Sequence, residues 1–311
     1  MEILNVSLDK MTIVGNLNSE LAYALQNAVN EPHVQIKGLP TTGFIEGQFF
    51  FYGYAESVYY CYDEVNSNAM SKRNFRMEFN PSKITPTQSK WLKDKIIYIL
   101  DDIGITRLDI AFDCDFDLSK LDYEFKNTLE RERIGRDGTV QTLYYGARTS
   151  DFYYRIYNKK LEQEKEIKKK LRAIEKRKLQ KLAIEEYDLK NNVEPLLYDT
   201  EHWWRYEVEI KNADTIDKMI DFEFPLFLDK RIIIYDINTL EGIDAVMVTG
   251  LLTNPKLMAD LHPNTRTKYR KIIKNLGGHD VTPLFNNALD KKKPELIGQI
   301  NSWRKINYSV L

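Results

Sequence analysis

From Arg107 to Phe116 the chain alternates. Leu108, Ile110, Phe112, Cys114 and Phe116 fall on one side of an extended backbone, and Arg107, Asp109, Ala111, Asp113 and Asp115 on the other. A helix, with its period of about 3.6 residues, would mix these two sets; a half-buried strand separates them. The same period returns three times. Phe75, Met77 and Phe79 oppose Arg76, Glu78 and Asn80 before Pro81 ends the run. In Asp151 to Lys160, Phe152, Tyr154 and Ile156 oppose Tyr153, Arg155, Tyr157 and Lys159. In His202 to Lys211, Trp204, Tyr206, Val208 and Ile210 oppose Arg205, Glu207 and Glu209. Strands of this kind need one covered face and one open face, the habit of an antiparallel sheet.

Other segments supply the cover. Lys10 to Gly15 reads as a first strand, followed by a helix capped by Asn18 or Ser19 with Leu21, Ala22, Leu25 and Val29 on one face. Gln48 to Tyr62 reads as an aromatic pair of strands with a bend at Gly53, and Thr142 to Arg148 as another strand after a turn at Asp137-Gly138. Thr85 to Ile103 predicts a helix, with Thr85 as cap, Pro86 at the first position and Gly104 as stop. Lys160 to Lys190 is a highly charged helix or helical pair whose apolar stripe is thin, so a protruding insertion is expected there. Beyond Asn212 the pattern is mostly helical, with a short strand at Arg231 to Asp236. Its clearest element is a helix from Asn264, as cap, to Gly277, with Tyr269, Ile272, Ile273 and Leu276 buried. The fold class expected is α+β: an antiparallel sheet with flanking helices, then a mainly helical C-terminal region.

Composition narrows the chemistry. With 45 Lys+Arg against 46 Asp+Glu, any nucleic-acid contact has to come from local basic patches. Two cysteines, Cys61 and Cys114, make no disulfide framework, the start lacks the order of a signal peptide, and no apolar run nears the roughly 18 residues of a membrane span. A soluble cytoplasmic protein is expected. The four histidines have no zinc spacing, and neither GK[ST] nor G-x-S-x-G occurs.

The polar face of the predicted sheet carries the chemistry. Tyr157 has Arg155 two residues before it and Lys159 two after, cations that can hold a phosphodiester while a phenol approaches. Glu78, Asp109 with Asp113, and Glu207 with Glu209 would crowd the same face if their strands adjoin, and the usual relief is a hard cation, Mg²⁺ or Mn²⁺. Two other readings stay open. Tyr157, one of 19 tyrosines, could simply pack, and the acids could be salt-bridged to Arg76, Arg107 and Arg205. The helix from Asn264 presents Lys268, Arg270, Lys271 and Lys274, with Arg266 and Thr267 at its positive end. That suits phosphates, and it equally suits a solvated surface.

Six segments in order, KMTIVGNLN, RMEFNPSKIT, TRLDIAFD, RIYNKK, WRYEVEIK and HPNTRTKYRKIIK, resemble the trans-acting replication initiators of rolling-circle plasmids of the staphylococcal antibiotic-resistance type. The resemblance runs from about Lys10 to the C-terminus. It implies that Tyr157 nicks the plus strand at the double-strand origin in cytoplasmic bacterial plasmid DNA. The products would be a 5′-phosphotyrosine and a 3′ hydroxyl for the host polymerase. It further implies a homodimer whose second tyrosine acts in termination, recruitment of a host helicase, and carboxylate metal ligands, placed on Glu78, Asp109 and Glu207 with Asp113 and Glu209 in reserve. Origin discrimination falls on His262, Asn264, Thr265, Arg266 and Thr267. On this reading residues 1–215 are a nicking and joining domain with a charged insertion at about 161–192, and 216–311 serve origin recognition and dimerisation. The insertion is longer than that family leads one to expect. The rivals are a conjugative relaxase of related fold and a non-catalytic origin- or operator-binding protein.

Overall fold

The computed structural model describes residues 1–18, 20, 34–41, 44–51, 57–63, 73–124, 130–136, 138–179, 197–198, 200–211, 216, 231–235, 239–254 and 256–304. Ten strands make one antiparallel sheet: β1 (Ile3–Asn16), β2 (Val34–Thr41), β3 (Phe44–Phe51), β4 (Ser57–Asp63), β5 (Phe75–Phe79), β6 (Asp101–Cys114), β8 (Glu130–Ile134), β9 (Val140–Tyr145), β10 (Phe152–Asn158) and β11 (Trp204–Ile210). Their spatial order is β2-β3-β4-β5-β1-β6-β11-β10-β9-β8. A second sheet joins β7 (Asp122–Glu124), β12 (Arg231–Tyr235) and β13 (Gly278–Asp280), with β12 in the middle.

The apolar sets read from the sequence are the core. Leu108, Ile110, Phe112, Met77, Ile156, Tyr206, Val208 and Ile210 are all fully buried. Among the described residues two helices cover them. In α1 (Pro86–Lys95), Trp91 meets Phe49 and Phe51 edge-on and Leu92 is buried. In α6 (Thr282–Asn301), Phe285 packs on Phe112 and Tyr206, and Leu289, Leu296 and Ile300 extend the contact. The fold is therefore α+β, as expected. Among the described residues no helix is long and apolar enough to cross a membrane.

Several boundaries differ from the sequence reading. Thr85 does cap α1: its Oγ1 accepts from the Gln88 amide while the Gln88 side chain accepts from the Thr85 amide, and Pro86 follows at the first position. The helix stops at Lys95, however. After a 3₁₀ turn at Ile97–Ile99, β6 begins at Asp101, so Ile103 and Gly104 are strand residues. Gly104 ends no helix; it faces Val14 across the ladder. Asp102 adopts φ 49° there, with its carbonyl accepting from Arg73 at 2.6 Å. The expected helix after β1, the bend at Gly53, and Asp137 lie outside the described residues. The charged segment forms α2 (Lys159–Leu179), and its remainder to residue 196 also lies outside them.

A smaller helical cluster, α3 (Gly242–Thr253), α4 (Leu257–Asp260) and α5 (Pro263–Asn275), buries Val248, Leu251, Tyr269 and Leu276 against one another. Pro263 takes the first position of α5, so its cap is His262 and Asn264 lies inside the helix.

Candidate active site

Register sets the site. Residues directly opposite in an antiparallel ladder share a face, so the polar side of the sheet can be followed strand by strand. One row reads Arg133, Thr142, Tyr157, Arg205, Asp113 across β8, β9, β10, β11 and β6. The next reads Arg131, Tyr144, Arg155, Glu207, Ala111. A third places Tyr153 beside Glu209, Glu209 beside Asp109, and Asp109 beside Lys10 of β1. The tyrosine strand and the acidic strands therefore do share one face of one sheet.

Tyr157 is only 7% exposed, yet it lines an open cleft of about 290 Å³. Its hydroxyl donates to Oε2 of Glu207 at 3.2 Å, and Oε1 of Glu207 accepts from Arg155 at 2.5 Å. Arg155 and Lys159 lie over the phenol ring at 5.1 and 5.5 Å. Burial raises the Tyr157 hydroxyl well above the ordinary phenol range, with the Glu207 carboxylate adding to the rise and Arg205 opposing it. Lys159 is the first residue of α2 and not the last of the strand, because the Asn158 side chain accepts from the Leu161 amide at 2.8 Å and turns the backbone into the helix. Its amine still reaches the site, bonded to Glu162 at 2.5 Å, and burial, then Arg205, holds it below the ordinary lysine range.

The acids are not free. Asp109 takes two bonds from Arg107, at 2.7 and 2.6 Å, and the same guanidinium reaches Glu209 at 3.0 Å. Glu78 is ion-paired to both Lys10 and Arg76. Glu207 is paired to Arg155. Among the described residues no three Asp, Glu, His or Cys side chains group so as to hold a metal ion. The alternative of salt-bridged acids is what this arrangement realises, and Glu78, Asp109 and Glu207 as placed do not fit a divalent ion. The crowding is real all the same. Asp109 is pushed up to about 7, first by burial, with Glu207 and Glu209 adding to it against the pull of Arg107.

Asp113, a reserve ligand, belongs to a different set. Both of its oxygens accept from Arg205, at 2.8 and 2.9 Å, and Oδ1 also accepts from the Trp203 indole at 2.9 Å. Arg205 also donates to Asp9 at 2.6 Å. Asp9 reaches this face because the β1–β6 register shifts between Leu8 and Lys10. With Leu8 and Met11 both buried in the core, the bulge turns Asp9 and Lys10 to the polar side together. Alternation missed Asp9. The two polar residues between Leu8 and Met11, where alternation allows one, were the signal.

The residues expected to meet DNA are spread over α5 and its cap. His262, Asn264, Thr267, Arg270, Lys271 and Lys274 are exposed, and Thr265 is half-buried. Arg266 turns back to the carbonyls of Ala259 and Leu261, at 2.5 and 3.1 Å, fastening α5 to the preceding turn. Lys268 pairs with Asp244 of α3 at 2.8 Å, where the Tyr269 hydroxyl also donates. Arg266 and Lys268 are thus partly committed to holding the helical cluster together.

Similarity to known proteins decides the family. Two Staphylococcus aureus proteins, each named replication initiation protein, are 34% identical to this chain over 303 and 304 residues. They cover 96% of it, and the matches span 84% and 85% of their own lengths. The chain belongs to the replication initiation proteins. A family model described as "Replication initiation protein, N-terminal" matches residues 10–100. In this replication initiation protein that match takes in Lys10 and Glu78, whereas the strands bearing Tyr157 and Glu207 are covered by the longer relatives. A solved rolling circle replication initiator protein of Geobacillus stearothermophilus covers 79% of the chain and 84% of its own, at 14% identity and a TM-score of 0.37. That likeness is too distant to carry an argument.

Proposed function

We propose that this replication initiation protein starts rolling-circle replication of a plasmid by cutting one strand of its double-strand origin with Tyr157. The contact between the Tyr157 hydroxyl and Glu207, in an open cleft flanked by Arg155 and Lys159, carries the reading. It supplies a nucleophile, an acceptor for its proton and cations for the diester within one site.

The reaction is a transesterification. The phenolic oxygen attacks the scissile phosphorus, the phenolic proton passes to Glu207, the bond to the 3′ oxygen breaks, and that oxygen leaves as a hydroxyl after taking a proton from water. The product is a 5′-phosphotyrosine that keeps the phosphodiester bond energy, so the strand can be rejoined. Lys159 and Arg155 neutralise charge on the phosphate as it builds. Mg²⁺ or Mn²⁺ polarises a non-bridging oxygen in chemistry of this kind. Since the carboxylates here are ion-paired, dependence on such an ion would require those side chains first to release Arg107 or Arg155.

Origin binding falls to α5, where Arg270, Lys271 and Lys274 are exposed on a helix whose N-cap is His262. A homodimer, with the second tyrosine acting in termination, and a host helicase and polymerase complete the proposal. The test is relaxation of a supercoiled plasmid bearing the cognate origin. Relaxation by the native protein and none by Tyr157→Phe supports the reading; relaxation by neither leaves the non-catalytic origin-binding reading.

A further inference from the structure

We infer that Lys159 is the general acid of the cut, its ammonium handing the departing 3′ oxygen the proton that water would otherwise supply. The inference deepens the proposed function and rests on it. Three observations lead there.

The first is the placing of base and acid. Attack releases the phenolic proton to Glu207, but departure of the 3′ oxygen demands one, because an alkoxide is a far more basic leaving group than a phenolate. In an in-line displacement the two oxygens lie on opposite sides of the phosphorus, so Glu207, bonded to the attacking oxygen, cannot serve the leaving one. Glu207 stands level with Arg155, two residues before Tyr157. Lys159 comes two residues after Tyr157 and lies over the phenol ring at 5.5 Å. The two groups therefore flank the nucleophile from opposite ends.

The second is which group can part with a proton. Arg155, also over the ring, is a guanidinium and keeps its own. Arg205 is another, and Asp9 and Asp113 are carboxylates that accept from it. An amine is different. Lys159 is 9% exposed and is the first residue of α2, where the unpaired amides of a helix N-terminus disfavour positive charge. Burial, then Arg205 of β11, favours the neutral amine, while Glu162 of α2 and Asp9 of β1 oppose them; the balance leaves Lys159 below the ordinary lysine range.

The third is the contact that aims it. Lys159 is bonded to Glu162 at 2.5 Å, and Glu162 lines the cleft in which Tyr157 lies. The pair keeps the ammonium charged before the step and holds it at the cleft, where the diester enters.

The step balances. As the bond from phosphorus to the 3′ oxygen breaks, its electron pair stays on that oxygen, which takes a proton from Lys159 and leaves as a hydroxyl. The neutral amine then regains a proton from water. In rejoining, the amine takes the proton of the returning 3′ hydroxyl, and Tyr157 leaves as a phenol with the proton held by Glu207.

The probe is a single-stranded origin oligonucleotide with sulfur in place of the bridging 3′ oxygen at the scissile linkage, compared with the natural oxygen substrate at one fixed Mn²⁺ concentration. A thiol ionises near about 8.5, far below an alcohol, so a thiolate departs without a proton. Lys159→Arg keeps the charge but gives up no proton. In single-turnover cleavage it is expected to slow the oxygen substrate by at least about 100-fold and to leave the sulfur substrate within about twofold of the native rate. That sulfur rate also shows that the variant folds and binds DNA. Lys159→Gln, without charge, is expected to show the same contrast between substrates. Equal slowing of both substrates in variants that melt with the native protein, or an oxygen substrate cut at the native rate, overturns the inference while Tyr157-dependent nicking stands. Cleavage of neither substrate by the native protein, or of both by Tyr157→Phe, overturns the proposed function and the inference with it.

Discussion

Tyr157 and Glu207 are diagonal neighbours on adjacent strands, two residues apart in register, with the phenol donating to one carboxylate oxygen at 3.2 Å and Arg155 donating to the other at 2.5 Å. Since burial makes the phenol harder to ionise, the reaction depends on the group that takes its proton. Glu207→Gln keeps the size and one of the two accepting oxygens but takes up no proton. Single-turnover cleavage of an origin oligonucleotide is expected to slow by at least about 100-fold, with DNA affinity unchanged. An unchanged rate would remove Glu207 from the proton path.

Arg107 occupies the place where carboxylates converge, bonded to Asp109 and Glu209. Replacing it by Gln leaves those acids uncompensated, and a hard cation is the natural substitute. Arg107→Gln is expected to lower stability in chelator and to regain it with Mn²⁺, so that its melting temperature rises with Mn²⁺ concentration more steeply than that of the native protein. Equal Mn²⁺ responses would show that the acids form no ion site even when released.

Asp109 gives the fold a pH dependence of definite sign. Its pKa is raised from 3.8 to about 7, chiefly by burial, so the folded protein keeps a proton that the unfolded chain has released. This contribution to stability is complete below the ordinary aspartate value and is lost as pH rises through about 7. Asp9 and Glu78 run the other way. Although burial opposes it, neighbouring cations lower both, so their contributions are present above the ordinary carboxylate range and lost in acid. In metal-free buffer the stability should therefore fall between about pH 4 and 7, by up to roughly 4 kcal/mol at about 1.4 kcal/mol per unit. Asp109→Asn should flatten that fall, as measured by denaturant unfolding at several pH values. A slope that survives the substitution would assign it to another group.

Much of this site was legible in the sequence because it lies on strands. Period two puts Tyr157 with Arg155, Asp109, and Glu207 with Glu209 on the polar side of their own strands, and the register joins those sides into one face. What alternation could not show is which side chains meet across the sheet. In the sequence Arg107 and Arg205 are generic partners, and only adjacency of β1, β6 and β11 makes one the clasp of Asp109 and Glu209 and the other the clasp of Asp113 and Asp9. Asp9 was hidden by a bulge. The helix from Thr85 ends earlier than its pattern predicts because the isoleucine-rich run after Lys95 is apolar at either period, and a 3₁₀ turn ends the helix where no glycine or proline marks it. Lys159 continues the alternation of the strand in the sequence, whereas in the fold Asn158 caps a helix that begins there.

The exposed cations of α5 and the committed ones should separate in a salt titration. Arg270→Ala and Lys271→Ala are each expected to weaken origin binding and to reduce the salt slope by about 0.9, while melting unchanged. Lys268→Ala removes the bond to Asp244 and should show a smaller change of slope. Equal slopes for all of these variants would place the DNA on a surface other than α5.

The central claim, that Tyr157 forms the covalent link to DNA, is tested most directly by trapping that link. Supercoiled origin DNA incubated with the protein and Mg²⁺ or Mn²⁺, then denatured and digested with nuclease and protease, should yield a nucleotide-bearing peptide. The account predicts that mass spectrometry places the added mass on Tyr157 and that Tyr157→Phe gives no adduct. An adduct mapped to another tyrosine, or one that persists in Tyr157→Phe, would contradict it.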